Sequence, residues 1–257
     1  MVWIEAQSTP VIALFVFSFC YVLAATIFGL AAVFSRRKLA QDLKAVSPVT
    51  LTPLGVILGL LVAFLAARVW TNLDRAGDYV GQEAGALRAT VLLAEALPPD
   101  VRMRVRQAIQ RHVYFIESGE WPAMASGRAT LQSIAVGLVD AMTALLSFTP
   151  AQSNQQLAQQ RALVVIEQAQ AARRNRVRLS QAEIAPIQWT VIIALATLIL
   201  VTLAIVHIEK RLAMAIALSI FSTAIAICLV LLMVYDRPLG AGGFTVPPTV
   251  IRAVVPN

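Results

Sequence analysis

Four apolar stretches of this chain run for 17 residues or more without a formal charge: 11–34, 51–67, 187–206 and 212–235. No other feature limits the possible folds as severely. At a rise of about 1.5 Å per residue, the first run makes a helix about 36 Å long, enough to cross a hydrocarbon core of about 30 Å with some tilt. The second run is near the lower limit for spanning. Its Pro53 falls in the first turn, where a missing N–H is tolerated. The flanks fit a bilayer. Ser35-Arg36-Arg37-Lys38 stops the first run, Arg68 and Trp70 end the second, Pro186 and Trp189 open the third, and Asp236-Arg237-Pro238 stops the last. Residues 207–211 alone separate the third and fourth runs, so these two form an antiparallel hairpin. A cleaved signal peptide is the competing reading of the first run. The run is long for that, and the flank before it holds Glu5 and no positive side chain.

Composition narrows the class further. Hydrophobic residues make up 58% and charged residues 14%, against about a quarter charged in a soluble domain. The formal net charge of +7 fits nucleic acid or anionic lipid. No basic run is interleaved with aromatics, so lipid is the expected partner and nucleic acid is not. Cys20 and Cys228 both lie inside apolar runs and suggest no disulfide framework.

Between the second and third runs the pattern becomes amphipathic. Val80, Ala84, Leu87, Val91 and Ala94 recur at steps of four and three, which is one helical face. No breaker separates this face from the second run, so one long helix is expected to leave the bilayer and continue until Pro98-Pro99. Asp100 is expected to cap a second helix, with Val101, Val105, Ile109 and Ile116 inward. Residues 119–127 around Trp121-Pro122 read as a connection. A third helix is expected with Leu131, Ile134, Leu138, Met142 and Leu145 inward, and a fourth from Thr149-Pro150 to about Ser180. The tail, with Gly240, Gly242, Gly243, Pro247, Pro248 and Pro256, reads as irregular. No strand pattern is present. The expected fold class is all-α: a polytopic membrane protein with four transmembrane helices in two pairs and an inserted soluble helical bundle. The expected domains are a first helix pair in 1–70 (spans about 11–34 and 51–70), a soluble domain in 71–186, a second hairpin in 187–235, and the tail 236–257.

Catalytic chemistry is missing from the sequence. There is no glycine-rich phosphate loop and no nucleophile–histidine arrangement. His112 and His207, the two histidines, have no metal-ligand neighbours at usable spacing. An enzyme, a cofactor and a metal are therefore not expected. The spanning runs hold no carboxylate, which argues against a carboxylate-based proton pathway at the midplane. Arg173, Arg174, Arg176 and Arg178 have two open readings: a solvated face near lipid headgroups, or an anion-attracting vestibule.

The second run, Thr52-Pro53-Leu54-Gly55-Val56-Ile57-Leu58-Gly59-Leu60 ending in Arg68-Val69-Trp70, resembles the second transmembrane helix of bestrophins. The stop Asp236-Arg237-Pro238-Leu239-Gly240 resembles the end of their last helix, and the order of elements agrees. A closer resemblance, over most of the chain, is to bacterial bestrophin-like membrane proteins. It is carried by Trp70 with Asp74-Arg75, Glu83-Ala84 and Leu87, Leu97-Pro98, Glu120-Trp121-Pro122 and Asp236 with Pro238.

The resemblance implies an oligomeric ion channel in the bacterial inner membrane, with the second helix lining the pore. Its partners would be the lipid bilayer, further copies of the chain in a homo-pentamer, and small ions, chloride among them. The implied neck falls on Thr52, Val56 and Leu60, and the mouth on Phe64 and Arg68. The neck side chains are smaller than those of bestrophins. Ala241-Gly242-Gly243 stands where the calcium-binding acidic cluster of animal bestrophins would follow, so no such site is expected. By charge count, Arg36, Arg37, Lys38 and Lys44 oppose Arg68, Arg75, Arg173, Arg174, Arg176, Arg178 and Arg237. The balance leans towards the second group, and the resemblance agrees, which places the helical domain and both termini in the cytoplasm. The alternative function is a non-conducting membrane scaffold or sensor whose helical domain docks partners, since amphipathic faces such as 80–94 serve signalling bundles equally well.

Overall fold

A computed structural model of the chain describes residues 7–34 and 48–254. Arg36, Arg37, Lys38, Lys44 and Pro256 lie outside the described residues. Every regular element among the described residues is helical. In chain order they are α1 (Thr9–Phe34), a 3-10 turn (Pro48–Thr50), α2 (Leu51–Ala94), α3 (Pro99–Phe115), a π-helical turn (Ile116–Glu120), α4 (Trp121–Ala125), α5 (Val136–Leu146), α6 (Ser153–Leu179), α7 (Pro186–Val206), α8 (Arg211–Tyr235) and α9 (Thr249–Arg252). Among the described residues four helices, α1, α2, α7 and α8, are long and apolar enough to cross a membrane. The chain divides into two compact units. One holds the described residues up to Trp70 with Glu183–Asp236, and the other holds Thr71–Ala182 with the described tail from Arg237.

The membrane unit has an apolar core. Ile12, Val16 and Cys20 of α1, Leu58, Leu65 and Val69 of α2, Ile192 and Ile199 of α7, and Ala226 and Leu232 of α8 are buried together. Several polar groups in these helices find partners inside the unit. Thr190, Thr197 and Thr202 donate to their own i−4 carbonyls at 2.7–3.0 Å. The Tyr21 hydroxyl meets Thr223 Oγ1 at 2.8 Å between α1 and α8. Each bond removes a polar group that hydrocarbon cannot solvate. Between the start of α7 and the end of α8, buried Asp236 Oδ1 accepts the Ile184 N–H at 2.8 Å. His207 ends α7 with Nδ1 3.0 Å from the Leu203 carbonyl oxygen.

The second unit is a helical bundle. α2 runs without a break for 44 residues, and its inward face is the expected one, with Val80, Ala84, Leu87 and Ala94 buried and Val91 packed against them. The other helix boundaries depart from expectation. α3 starts on Pro99 with Pro98 at the N-cap, because a residue with fixed φ and no N–H suits the first helical position. Asp100 therefore lies in the first turn and caps nothing. α5 begins only at Val136, leaving Leu131 and Ile134 exposed. The Arg173 guanidinium holds the preceding segment as a turn, donating to the Ser133 carbonyl at 2.8 Å and its hydroxyl at 3.1 Å. α6 starts at Ser153, not Pro150. Gln159 of α6 donates to the Leu145 and Phe148 carbonyls at 2.6 and 2.8 Å, satisfying acceptors left over at the end of α5. The Glu120-Trp121-Pro122 corner is helical. The Trp121 N–H reaches the Ile116 carbonyl in a π turn before α4, and Glu120 is buried at that turn. The tail packs into this unit through Leu239, Ile251 and Val254, which are buried in its core.

Candidate functional site

The residues expected to line a pore share one face of α2. Val56, Leu60 and Phe64 expose 64%, 55% and 67% of their surface, and Thr52 is exposed too. The opposite face of the same helix, with Leu58, Leu65 and Val69, is buried. Within its own chain the stripe has no covering element, so it meets lipid, water or another copy. Gly55 and Gly59 have nothing of their own chain within 4 Å of an added Cβ. Their small size is therefore not used for packing inside the chain. They border an apolar groove of about 340 Å³ together with Ile192 of α7 and Phe221 and Cys228 of α8.

Arg68 is exposed but engaged. Its Nη1 donates to Gln188 Oε1 at 3.3 Å and its Nη2 to the Glu183 carbonyl at 3.4 Å. Gln188 Oε1 also accepts the Ala185 N–H at 3.0 Å, satisfying a donor at the start of α7. The guanidinium thus ties the end of the apolar part of α2 to the start of α7.

The arginine cluster of α6 is split by the helical period. Arg174 and Arg178 are exposed, whereas Arg173 and Arg176 are 6% and 0% exposed. The vestibule expectation fails for the buried pair, because each guanidinium is consumed by a carboxylate. Arg176 Nε donates to Glu83 Oε2 at 2.7 Å, and its Nη2 donates to Glu83 Oε1 at 3.2 Å and to Glu120 Oε2 at 2.6 Å. Arg173 Nε donates to Glu120 Oε1 at 2.8 Å. The Arg176 guanidinium also lies 5.3 Å from the centre of the Trp121 ring. His112 Nε2 is 3.4 Å from Glu83 Oε1.

Two carboxylates face two guanidiniums here, so the formal charge cancels. This matters because an unpaired charge at full burial costs several kcal/mol. Burial pushes the Glu83 pKa up, but the Arg176 guanidinium and the bonds from Arg176 and His112 outweigh it, and the carboxyl is held below its usual range. Burial likewise works against the Arg176 charge, and Glu83 and Glu120 overcome it. Among the described residues no group of three or more His, Cys, Asp or Glu is arranged to hold a metal.

Sequence reasoning missed this cluster, since its members lie on α2, α3, the π turn and α6. Two signals were nonetheless present. Arg173 and Arg176 are spaced i, i+3, on one face of a helix. Glu83, Glu120 and Trp121 are among the very residues that carry the family resemblance.

The comparisons with known proteins agree with one another. The chain matches the bestrophin-like domain over residues 13–251. Its fold is similar to crystal structures of a bacterial bestrophin homologue from Klebsiella pneumoniae. A variant of that homologue with one leucine replaced by threonine superposes with a TM-score of 0.71 at 12% identity, covering 93% of this chain and 96% of that one. The form phased on zinc gives a TM-score of 0.69 at 12% identity, covering 92% and 94%. A further solved membrane protein, carrying one proline-to-alanine replacement, gives 0.70 at 12% identity, covering 93% and 95%. No curated protein matches by sequence. With the matched domain spanning nearly the whole chain, and with four apolar spans among the described residues in the chain order the family resemblance requires, two before the helical bundle and two after it, this protein belongs to the bestrophin-like family.

Proposed function

We propose that the protein is an oligomeric ion channel of the membrane it spans, with α2 lining the path. Thr52, Val56 and Leu60 form its narrow section, and Phe64 and Arg68 stand at one mouth. The observation that carries this reading is that α2 buries one face in its own unit and leaves the stripe uncovered. Family membership supports it. Four helices of one chain do not enclose a wide aqueous path; a closed ring of copies does, and a pentamer is the number the family resemblance implies. The open Gly55 and Gly59 leave room for a helix of another copy. In this reading the helical unit and both termini are cytoplasmic, and the membrane is a bacterial inner membrane.

An apolar neck does not select ions by binding; it acts through width and dewetting. Charges at the mouths then decide the sign of the ion. A ring of Arg68 favours anions such as chloride. A specific observation favours the opposite sign. Arg68 is engaged by Gln188 and Glu183, while Asp74 and Asp78 are exposed on α2. They follow Thr52 and Val56 by 22 positions each, close to six turns at about 3.6 residues per turn, hence on the same face. The deciding experiment is ion flux through the purified protein in planar bilayers under a salt gradient. Val56→Ala raises conductance or open probability by widening and wetting the neck. Arg68→Glu moves the reversal potential towards cations if Arg68 sets the sign, and Asp74→Asn with Asp78→Asn moves it towards anions if the carboxylates do. Currents that ignore all of these changes would remove α2 as the pore line. A monomer by mass photometry in detergent would remove the ring, and no flux in any lipid would leave the scaffold or sensor reading.

A further inference from the structure

His112 is a buried ionisable side chain for which the channel reading has no use. It lies in the last turn of α3 with 1% of its surface exposed. An ionised carboxylate only accepts hydrogen bonds, so the nitrogen facing Glu83, Nε2, carries the hydrogen and Nδ1 is a bare lone pair. No hydrogen-bond partner reaches Nδ1. The backbone around the ring is equally confined. A Cβ added to Gly137 of α5 would fall 2.8 Å from both the backbone N and the Cβ of His112, and 2.6 Å from the Ala108 carbonyl oxygen. The imidazole thus sits where α3 and α5 touch backbone to backbone, and it points into the ionic cluster.

The charged groups around the ring come from four elements. α2 supplies Glu83, the π turn supplies Glu120, and α6 supplies Arg176 and, beyond Glu120, Arg173. Glu117 of the π turn is engaged by Arg252 at 2.6 Å. α5 supplies Asp140, which is paired with Arg111 at 2.9 Å. With an uncharged ring the four buried partners sum to zero. A second proton leaves three cations against two carboxylates and creates an N–H at Nδ1 that faces no acceptor. The added charge is attracted by Glu83, whose Oε1 already faces Nε2 at 3.4 Å. The net positive charge of the cluster and the new N–H without an acceptor work against the closed arrangement.

We propose that His112 is a proton-operated latch on the contact between α3 and α5: uncharged, it lets the helices close at Gly137, and a second proton on the ring loosens that contact and redistributes the Glu83–Arg176 pair. The proposal is independent of whether the protein conducts. Imidazoles ordinarily take up this proton in the mildly acid range, so amide hydrogen exchange of the full chain in lipid nanodiscs at about pH 7.5 and about pH 5.5, normalised to intrinsic exchange, tests it. Peptides from α3 and α5 should lose roughly tenfold in protection at the acid pH, while peptides from α7 and α8 should not change. His112→Gln, which keeps an uncharged N–H donor towards Glu83, should show the same protection at both pH values. Unchanged or increased protection of α5 in the wild type overturns the latch, and so does an equal acid loss in His112→Gln. If the variant does not fold, a wild-type exchange titration supplies the test. A step confined to the carboxylate range, well below the imidazole range, overturns the proposal.

Discussion

The two units of this chain solve the burial problem in opposite ways. The membrane unit is apolar at its centre, and its hydroxyl groups mostly return to their own helices. The helical unit adds an ionic cluster to its apolar core, with Glu83, Glu120, Arg173, Arg176 and His112 all buried. Lipid offers no place to expel a charge, so a charge inside a span is avoided altogether. A helical bundle can bury charges if each is paired, and it then depends on every partner remaining. The membrane unit should therefore degrade gradually under substitution, and the helical unit abruptly.

The sharpest way to break that contrast is to remove one partner. Glu83→Ala leaves Arg176 with Glu120 alone, a carboxylate it shares with Arg173, and should cost the helical unit about 3–5 kcal/mol. Limited proteolysis and thermal melting would show cleavage in Thr71–Ala182 while α7 and α8 stay protected. Retained stability would mean that the cluster is not what holds the bundle.

Next in size is Gly137→Ala. The new methyl would lie 2.6 Å from the Ala108 carbonyl oxygen, and overpacking of this kind costs about 1–3 kcal/mol. A fully buried backbone oxygen has no room to yield, so the melting temperature should fall. An unchanged melt would show that α3 and α5 can part without loss.

The contrast also predicts a difference with pH. The folded-state pKa of Glu83 is depressed, so its contribution is complete above an unfolded carboxylate value of about 4.3 and is lost as pH falls through the lower folded value. Far-ultraviolet circular dichroism should show the helical unit melting in strong acid while the membrane helices persist. A single transition shared by both units would contradict this.

The smallest effects belong to the membrane unit. Ser222 is fully buried with an unpaired hydroxyl, so Ser222→Ala should be neutral or stabilising by about 1 kcal/mol or less. Gly59→Ala meets nothing of its own chain and should leave stability within about 0.5 kcal/mol. If another copy packs at that position, the oligomer distribution in mass photometry should shift although the melt does not.

The long uncharged runs were enough to locate all four spans, because the bilayer imposes one strong rule on length and charge. The unbroken α2 was legible for a similar reason: its apolar face continues in phase and no breaker intervenes. Boundaries in the helical unit were misjudged where a distant side chain fixed them. Ser133 is held as a turn by Arg173, forty positions away in sequence, and the end of α5 is satisfied by Gln159. Helical periodicity carries no information about such partners. The arginine run 173–178 shows the same limit. Its charge count is visible in the sequence, but which guanidinium meets water depends on where Glu83 and Glu120 arrive.

From sequence alone, then, came the membrane class, the number of spans, the helical bundle between them and the stripe Thr52, Val56, Leu60 on one face of one helix. These follow from local composition and period, which act over a few turns of chain. Only the tertiary structure decided that two of the four clustered arginines are interior, that Arg68 is engaged by Gln188, and that His112 lies against Gly137 with one nitrogen unpaired. Those facts depend on which groups from separate helices share one small buried volume, where pairing replaces solvation.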